Sequence, residues 1–132
     1  MMKKILCYLF LLSALGCGSP EAQKEPPEIK RITPLEAIKV LDEMPNMQVV
    51  DVRTPGEMAK GQIKNAININ YYSPSAGEEV KKLDKDRPVL VYCARGGRSA
   101  KVADALHSQG FEVYDLIGGI YAWKAAAKDA PQ

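Results

Sequence analysis

Strong net charge is missing from this sequence, and so is an apolar run long enough to span a membrane. The 132 residues include 18 basic and 16 acidic side chains, which give a formal net charge of +2. Lys3 and Lys4 lie in a segment that we expect to be removed, which leaves as many basic as acidic residues. A neutral chain has no basic field that would attract nucleic acid or an anionic membrane. The length allows one domain with its own core and excludes two.

The apolar run near the N-terminus covers residues 5–12, which is far short of the roughly 20 residues that a spanning helix needs. It follows Lys3 and Lys4 and precedes a stretch of small residues. A positive start, a short apolar run and small residues are typical of an export signal. We therefore predict a signal peptide over residues 1–16; the alternative is a buried helix at the N-terminus.

The end of that segment, residues 14–17 (Ala-Leu-Gly-Cys), resembles a bacterial lipobox. The resemblance implies that Cys17 becomes the first mature residue and carries the lipid, although Leu15 stands one place later than the usual Leu. Residues 17–28 contain three prolines and few apolar side chains, which is typical of a flexible tether. We predict a lipid-anchored protein of the bacterial cell envelope, periplasmic or at the outer membrane. A soluble periplasmic or secreted protein is the alternative.

Cysteine is scarce, and the expected fate of each Cys leaves one free thiol in the mature domain. Cys7 leaves with the signal peptide and Cys17 carries the lipid, so Cys93 has no partner for an intramolecular disulfide. An exported protein meets an oxidising compartment, where a free thiol is a liability unless it is buried or used. The composition leaves both possibilities open for Cys93.

Strand and helix signals alternate along the rest of the chain. Residues 33–36 (Thr-Pro-Leu-Glu) are typical of a helix start, because the Thr caps, the Pro fits the first helical position and the Glu completes a capping box. Strands are predicted over residues 29–32, 47–52, 66–69, 88–92 and 113–117, and helices from residue 33 and over 75–83, 99–109 and 120–128. Continuous apolar strands suit a sheet that is covered on both faces. We predict an α/β domain over residues 29–126, in which helices flank both faces of a mostly parallel sheet of about five strands, and a disordered tail over residues 127–132.

A loop with the properties of an anion cradle follows the most strongly β-forming run. Its residues are Cys93, Ala94, Arg95, Gly96, Gly97 and Arg98, and a helix is expected from Ser99. The glycines let successive N–H groups turn inward, while the helix start and the two arginines add positive potential. Such surroundings lower a thiol pKa, and a drop from about 8.5 to about 7 needs about 2 kcal/mol. We predict that Cys93 is a reactive thiol and that residues 94–98 bind substrate; a buried inert thiol is the alternative.

Several other polar and aromatic residues are candidates for a role in the site. His107 is the single histidine and lies inside a predicted helix, and we interpret it as a solvated residue without a catalytic role. Asp51 and Arg53 end a strand, where we expect a structural ion pair near the loop. Tyr71 and Tyr72 lie in a connection, and whether they line the cleft entrance stays open.

Four motifs, in order along the chain, resemble those of the rhodanese family. Residues 91–99 resemble its active-site loop, 50–57 its Asp-Val-Arg segment, 61–69 its Gly-His-Ile segment, and 110–123 its C-terminal signature. Gln62 stands where His is common in that family and Asn65 where Gly is common, and we interpret both as structural drift. The resemblance covers the whole predicted domain and implies the rhodanese fold.

The resemblance also implies a sulfurtransferase that works in two steps. The Cys93 thiolate would take a sulfane sulfur from a small anionic donor, such as thiosulfate or polysulfide, and pass it from a persulfide to a thiol or cyanide. The N–H groups of residues 94–98 would stabilise the anionic sulfur, and Arg95 or Arg98 would hold the donor, with Arg98 the stronger candidate. The resemblance implies neither a metal nor an organic cofactor. A small tethered domain is expected to be a monomer.

Two other functions stay open on the same fold. A phosphatase or arsenate reductase places five residues between its Cys and Arg, whereas four residues separate Cys93 from Arg98. The shorter loop makes a smaller cradle, which suits one sulfur atom better than a phosphoryl group. A persulfide carrier or binding module that receives sulfur from a partner protein is the second alternative.

Overall fold

The computed structural model describes residues 27–129. The predicted signal peptide, the predicted lipidation site Cys17, nearly all of the tether and residues 130–132 lie outside the described residues. Within residues 27–129, no helix is long and apolar enough to cross a membrane.

Strands and helices alternate along the described chain. They are β1 (Lys30–Ile32), α1 (Pro34–Glu43), β2 (Gln48–Asp51), α2 (Pro55–Met58), β3 (Ile67–Asn68), α3 (Ala76–Val80), β4 (Val89–Tyr92), α4 (Gly97–Ser108), β5 (Val113–Leu116) and α5 (Gly119–Asp129). The strands form one five-stranded sheet in the order β1-β5-β4-β2-β3, and every pair is parallel. The predicted α/β fold with a mostly parallel sheet of about five strands is confirmed.

The central strand β4 is buried on both faces, as a continuous apolar run predicts. Successive side chains of a strand point to opposite faces, so β4 contributes to two separate cores. Val89, Val91 and Cys93 pack with residues of α3 and α4. Leu90 and Tyr92 pack on the opposite face with residues of α1 and α5.

Two capping boxes begin helices at different points of the chain. The predicted box at α1 forms, because the Thr33 side chain accepts from the Glu36 N–H and the Glu36 carboxylate accepts from the Thr33 N–H at 2.7 Å. The short helix α2 begins with the same arrangement at Thr54 and Glu57. This helix was not among the predicted elements.

Two helix ends differ from the predicted boundaries. Helix α3 ends at Val80, before the predicted end at residue 83. Helix α5 runs to Asp129 and so continues into the predicted tail over residues 127–132.

The sheet order creates a crevice at the carboxyl ends of β2 and β4. These strands are neighbours, but the chain leaves β2 towards β3 on one side and leaves β4 towards β5 on the other. Connections that diverge in this way open a space between them, where ligands of parallel sheets bind. Cys93 follows β4 directly and therefore lies at this point.

Candidate active site

The loop after β4 is held from one side by the start of α5. The Ile120 N–H donates to the carbonyl oxygen of Cys93 at 2.9 Å, and the Tyr121 N–H donates to that of Ala94 at 3.3 Å. Gly119 has a positive φ of 60°, and a Cβ there would lie 2.5 Å from both carbonyl oxygens. A close approach of this kind admits only glycine. The carbonyl oxygens of Cys93 and Ala94 thus accept hydrogen bonds from α5.

The N–H groups of the same loop are directed to the Cys93 sulfur. The Gly96 N–H donates to Cys93 Sγ at 3.0 Å, and Gly96 adopts the left-handed conformation with φ of 112°. Helix α4 begins at Gly97, two residues before the predicted Ser99, so that Ser99 falls in its first turn. The Ser99 N–H and hydroxyl also stabilise the charged form of the sulfur. Donors from the loop and from the helix start therefore converge on one atom.

The surroundings of Cys93 act on its pKa in opposite directions. The residue is 1% exposed, and this burial raises the pKa of the thiol because it disfavours the charged form. The Ser99 N–H and hydroxyl, with the N–H groups of Gly96 and Arg95, stabilise the thiolate and lower the pKa. The donors prevail, and the pKa lies below its ordinary value. A thiol in such a site forms its nucleophilic thiolate more readily.

Arg98 does not extend freely into the crevice. Its guanidinium makes a bidentate pair with Glu57 of α2, at 2.7 Å from Nη2 to Oε1 and 2.9 Å from Nη1 to Oε2. The Arg98 guanidinium and the capping bond from the Thr54 N–H hold the pKa of Glu57 at about 2, and Glu57 in turn raises the pKa of Arg98. Glu57 therefore offsets much of the positive charge of Arg98. This bidentate pair holds α2 against the start of α4, next to the loop.

Arg95 is the more available of the two predicted arginines. It is exposed, and no carboxylate among the described residues pairs with it. Its guanidinium lies 5.1 Å from the ring centroid of Tyr121, and that of Arg98 lies 5.7 Å from the ring of Tyr72. Tyr72 and Tyr121 are both exposed, so an aromatic ring flanks the loop beside each arginine. For Tyr72, the question left open by the sequence is answered: it lies beside the loop.

The predicted ion pair between Asp51 and Arg53 is confirmed. The Arg53 guanidinium contacts Asp51 Oδ2 at 2.6 Å, and the Tyr92 hydroxyl donates to the same oxygen at 2.8 Å. Arg53 also donates to the carbonyl oxygen of Gly61 at 2.8 Å. Tyr92 lies in the core beneath α1 and α5, on the face of the sheet opposite Cys93. This network braces the segment after β2 and makes no contact with the sulfur.

His107 differs from the prediction of a solvated residue. It is half-buried, and its Nε2 is buried without a hydrogen-bond partner among the described residues. It lies in the last turn of α4, whereas Cys93 precedes the first turn, so it takes no part in the loop. The part of the chain that the structure describes holds no cluster of His, Cys, Asp or Glu that suits a metal ion.

Two residues of this site were not predicted from the sequence. Ser99 was expected only as the start of a helix, and Glu57 only as part of a motif. The signal for Ser99 was a hydroxyl residue in the first helical turn after an anion cradle, where its side chain faces back to the loop. The signal for Glu57 was the second capping box, which places its carboxylate at the start of α2.

Residues 33–126 match the family of rhodanese-like domains. The chain belongs to this family, and it is a sulfurtransferase of the rhodanese type.

Individual relatives agree with this assignment. Thiosulfate sulfurtransferase GlpE of Coxiella burnetii is 40% identical over 97 residues, which cover 73% of this chain and 88% of that protein. A rhodanese-related protein of Thermoplasma volcanium superposes with a TM-score of 0.66 at 32% identity, covering 74% of this chain and 92% of that one. The polysulfide-sulfur transferase of Wolinella succinogenes superposes with a TM-score of 0.63 at 28% identity, covering 75% of each chain.

Proposed function

We propose that this enzyme moves a sulfane sulfur from a small anionic donor to a thiophilic acceptor through a persulfide on Cys93. The observation that carries the proposal is the Gly96 N–H at 3.0 Å from Cys93 Sγ, within a loop whose donors lower the thiol pKa. A buried sulfur surrounded by donors is suited to hold negative charge, first as a thiolate and then as a persulfide.

The two steps balance without a cofactor. With thiosulfate as donor, the Cys93 thiolate attacks the outer sulfur, the sulfur–sulfur bond of the donor breaks, and sulfite leaves with the bonding electron pair. Cys93 then carries a persulfide whose charge is on the outer sulfur. With cyanide as acceptor, its carbon attacks that outer sulfur, thiocyanate leaves, and the Cys93 thiolate returns. A thiolate acceptor takes the sulfur in the same way and becomes a persulfide itself.

Arg95 and Arg98 have different roles in this proposal. Arg95 is exposed and without a carboxylate partner among the described residues, so it attracts and holds the anionic donor. Arg98 is engaged with Glu57, so it keeps α2 against the loop and adds positive potential near the sulfur. The N–H groups of residues 94–98 form the cradle. An Arg98 that is engaged in this way is poorly placed to wrap a tetrahedral phosphoryl group, which argues against a phosphatase.

A persulfide carrier is the second candidate, and one comparison favours it. The Wolinella succinogenes relative is a polysulfide-sulfur transferase, so polysulfide is a reasonable donor here as well as thiosulfate. Slow turnover of thiosulfate combined with rapid loading by polysulfide would favour the carrier.

Steady-state turnover tests the enzymatic proposal. The full chain is mixed with thiosulfate and cyanide, and thiocyanate formation is followed at varied concentrations of both. We expect parallel lines in the double-reciprocal plots, as a covalent intermediate requires, and no turnover by Cys93→Ser. Intersecting lines, or activity retained by Cys93→Ser, would contradict the persulfide route.

We also propose that the protein is exported and anchored through lipid on Cys17. The supporting observations are the positive start, the apolar run over residues 5–12 and the lipobox-like residues 14–17. Cells that express the chain are grown with a labelled fatty acid. We expect label on the wild type and none on Cys17→Ser, whereas an unlabelled wild type in the soluble periplasmic fraction would favour simple secretion. The monomeric state remains a prediction.

A further inference from the structure

Asp115 is a buried carboxylate that the sulfur-transfer steps above leave unused. It belongs to β5, is 4% exposed, and lies opposite Val91 of β4 in the sheet register. Val91 and Cys93 are two residues apart, so their side chains point to the same face of the sheet. Asp115 and Val113 are likewise two apart, and Val113 packs in the same core as Cys93. The carboxylate therefore lies beneath α4, on the face that holds the sulfur.

The two oxygens of this carboxylate are treated differently. Asp115 Oδ2 accepts from Arg31 Nη1 of β1 at 3.2 Å. Asp115 Oδ1 is buried and has no hydrogen-bond donor among the described residues. Buried acceptors are nearly always satisfied, so an unsatisfied one calls for an explanation in the function or the strain of the site.

Ser99 connects this oxygen with the sulfur. Its side chain is fully buried in the first turn of α4, and its hydroxyl donates to the Gly96 carbonyl oxygen at 3.2 Å. The same hydroxyl interacts with Cys93 and with the carboxylate of Asp115. A hydroxyl has one hydrogen, which rotates about the Cβ–Oγ bond to suit its acceptors. The sulfur and Asp115 therefore compete for that hydrogen with each other and with the Gly96 carbonyl oxygen, to which the hydroxyl donates in this structure.

We propose that Asp115 is a positioning residue for sulfur transfer. While Cys93 carries the transferred sulfur, Asp115 Oδ1 accepts the hydroxyl hydrogen of Ser99. When that sulfur leaves, the same hydrogen turns to the Cys93 thiolate. This inference rests on the proposed persulfide. In the persulfide the negative charge is on the outer sulfur, and the inner sulfur, bonded to two atoms, is a weak acceptor. When the acceptor attacks, the sulfur–sulfur bond breaks and its electron pair returns to Cys93 Sγ. The Ser99 hydroxyl then rotates to donate to the new thiolate, and its proton stays on Ser99 Oγ.

Charged groups from neighbouring elements act on the pair in opposite directions: Arg31 favours the ionised form of Asp115, whereas Asp104 disfavours it. Arg31 of β1 and Asp104 of α4 face Asp115, and Arg98 of α4 faces Cys93. Burial raises the pKa of Asp115 above its ordinary value of 3.8, while Ser99 and Arg31 oppose that rise. The role proposed for Asp115 therefore rests on Oδ1, the buried oxygen that has no donor among the described residues.

The pH dependence of Cys93 alkylation tests this role. The full chain is alkylated with iodoacetamide at a series of pH values, and mass spectrometry follows the peptide that contains Cys93. In Asp115→Asn we expect the midpoint to fall by about half a pH unit, or about threefold in thiolate fraction at a fixed pH below it, because the competing carboxylate is gone. Ser99→Ala raises the midpoint. The double variant Ser99→Ala, Asp115→Asn is expected to have the same alkylation midpoint as Ser99→Ala alone.

A matched control separates this route from simple electrostatics. Asp104→Asn removes an equal charge that also contacts Arg31, at 3.5 Å, from an exposed position on α4. We expect its alkylation midpoint to match the wild type. A shift by Asp115→Asn that persists in the Ser99→Ala background would show that charge alone acts, and would overturn the inference, as would an equal shift by Asp104→Asn.

A second measurement keeps the inference testable should Asp115→Asn fail to fold. Single-turnover loading by thiosulfate and discharge by cyanide are compared in Ser99→Ala, above the alkylation midpoint. We expect discharge to slow and loading to hold, with Ser99→Thr restoring discharge; equal slowing of both steps would overturn the role. Failure of the wild type to load any sulfur would remove the proposed function, whereas the alkylation profiles would still report on Asp115.

Discussion

Two buried carboxylates, Asp51 on β2 and Asp115 on β5, lie on the strands that flank β4, and only Asp51 has both oxygens hydrogen-bonded. Asp51 is fully buried, and its side chain accepts from the Arg53 guanidinium, the Arg53 N–H and the Tyr92 hydroxyl. Asp115 is almost as buried, but one of its oxygens has no donor among the described residues. The partner of Asp51 is itself buried, whereas Arg31, the partner of Asp115, has a side chain that is 47% exposed.

This difference in hydrogen bonding distinguishes a network that only stabilises the fold from one whose hydrogen bonds can change during the reaction. A buried charge with all its partners in place is rigid, because any change leaves an uncompensated group. A buried carboxylate with a free lone pair can accept another hydrogen bond when a neighbour changes state. The complete network lies on the face away from Cys93, and the incomplete one shares the face of Cys93.

Substitution of Asp51 and of Asp115 in turn is expected to give the largest difference in stability between the two networks. Asp51→Asn leaves the buried Arg53 guanidinium without its charge partner, and we expect the free energy of unfolding to fall by about 3–5 kcal/mol. Asp115→Asn leaves the half-exposed Arg31 with Asp104 as its remaining charge partner, and we expect a loss below about 1 kcal/mol. Urea unfolding of the two variants beside the wild type measures both values. Similar losses would show that the two carboxylates play the same structural part.

Gly119 tests whether the start of α5 fixes the loop that carries Cys93. In Gly119→Ala the new Cβ meets the carbonyl oxygens of Cys93 and Ala94, and the positive φ adds strain, so we expect a loss of about 1–3 kcal/mol in stability. A loop displaced by about 1 Å is expected to lower turnover about 100-fold. Gly77→Ala is the matched control, because its Cβ would meet nothing within 4 Å. Turnover that is equally low in both variants would point to a general effect of the substitution.

The pair of Glu57 with Arg98 gives stability a definite pH dependence. The pKa of Glu57 is about 2 in the folded chain against an ordinary value of 4.5. A lowered pKa contributes stability that is fully present above 4.5 and is lost as the pH falls through about 2. Because the pair is partly exposed, we expect about 1 kcal/mol, measured by urea unfolding between these two pH values. Glu57→Gln should flatten this part of the profile, and an unchanged slope would rule out Glu57 as its source.

Arg95 is expected to have the smallest effect of these groups, confined to donor binding. In Arg95→Gln we expect KM for thiosulfate to rise about two- to fivefold with kcat nearly unchanged, because an exposed cation interacts weakly through water. Added salt should diminish the difference. Arg87→Gln, which removes an exposed arginine before the start of β4, is the matched control. A fall in kcat without a change in KM would assign Arg95 to the chemical step.

The sheet and the cradle were predictable because their signals are local. Buried strands appear as apolar runs, and glycines after such a strand indicate a loop that turns its N–H groups inward. The capping box at Thr33 marked α1, but the same box at Thr54 was missed because α2 is a single turn without an apolar stripe. Asn65 was interpreted as structural drift, and its φ of 63° shows why the family commonly has Gly there.

The partners of the loop side chains were not predictable, because they depend on contacts between distant segments. Arg98 and Glu57 are 41 positions apart, and only the packed fold shows that the guanidinium is engaged. The proximity of Asp115 to Ser99 likewise follows from the pairing of β4 with β5 and the placement of α4 above both. A sequence identifies which residues have suitable chemistry, while the tertiary packing decides which of them remain free to act.

The intact mass of the chain after exposure to thiosulfate tests the central claim most directly. A Cys7→Ser, Cys17→Ser background leaves Cys93 as its single thiol. We expect this chain to gain the mass of one sulfur atom, to lose it when cyanide is added, and to gain nothing once Cys93→Ser is also present. A chain that gains no sulfur from thiosulfate or from polysulfide, or one that gains it without Cys93, would contradict the persulfide on which the account depends.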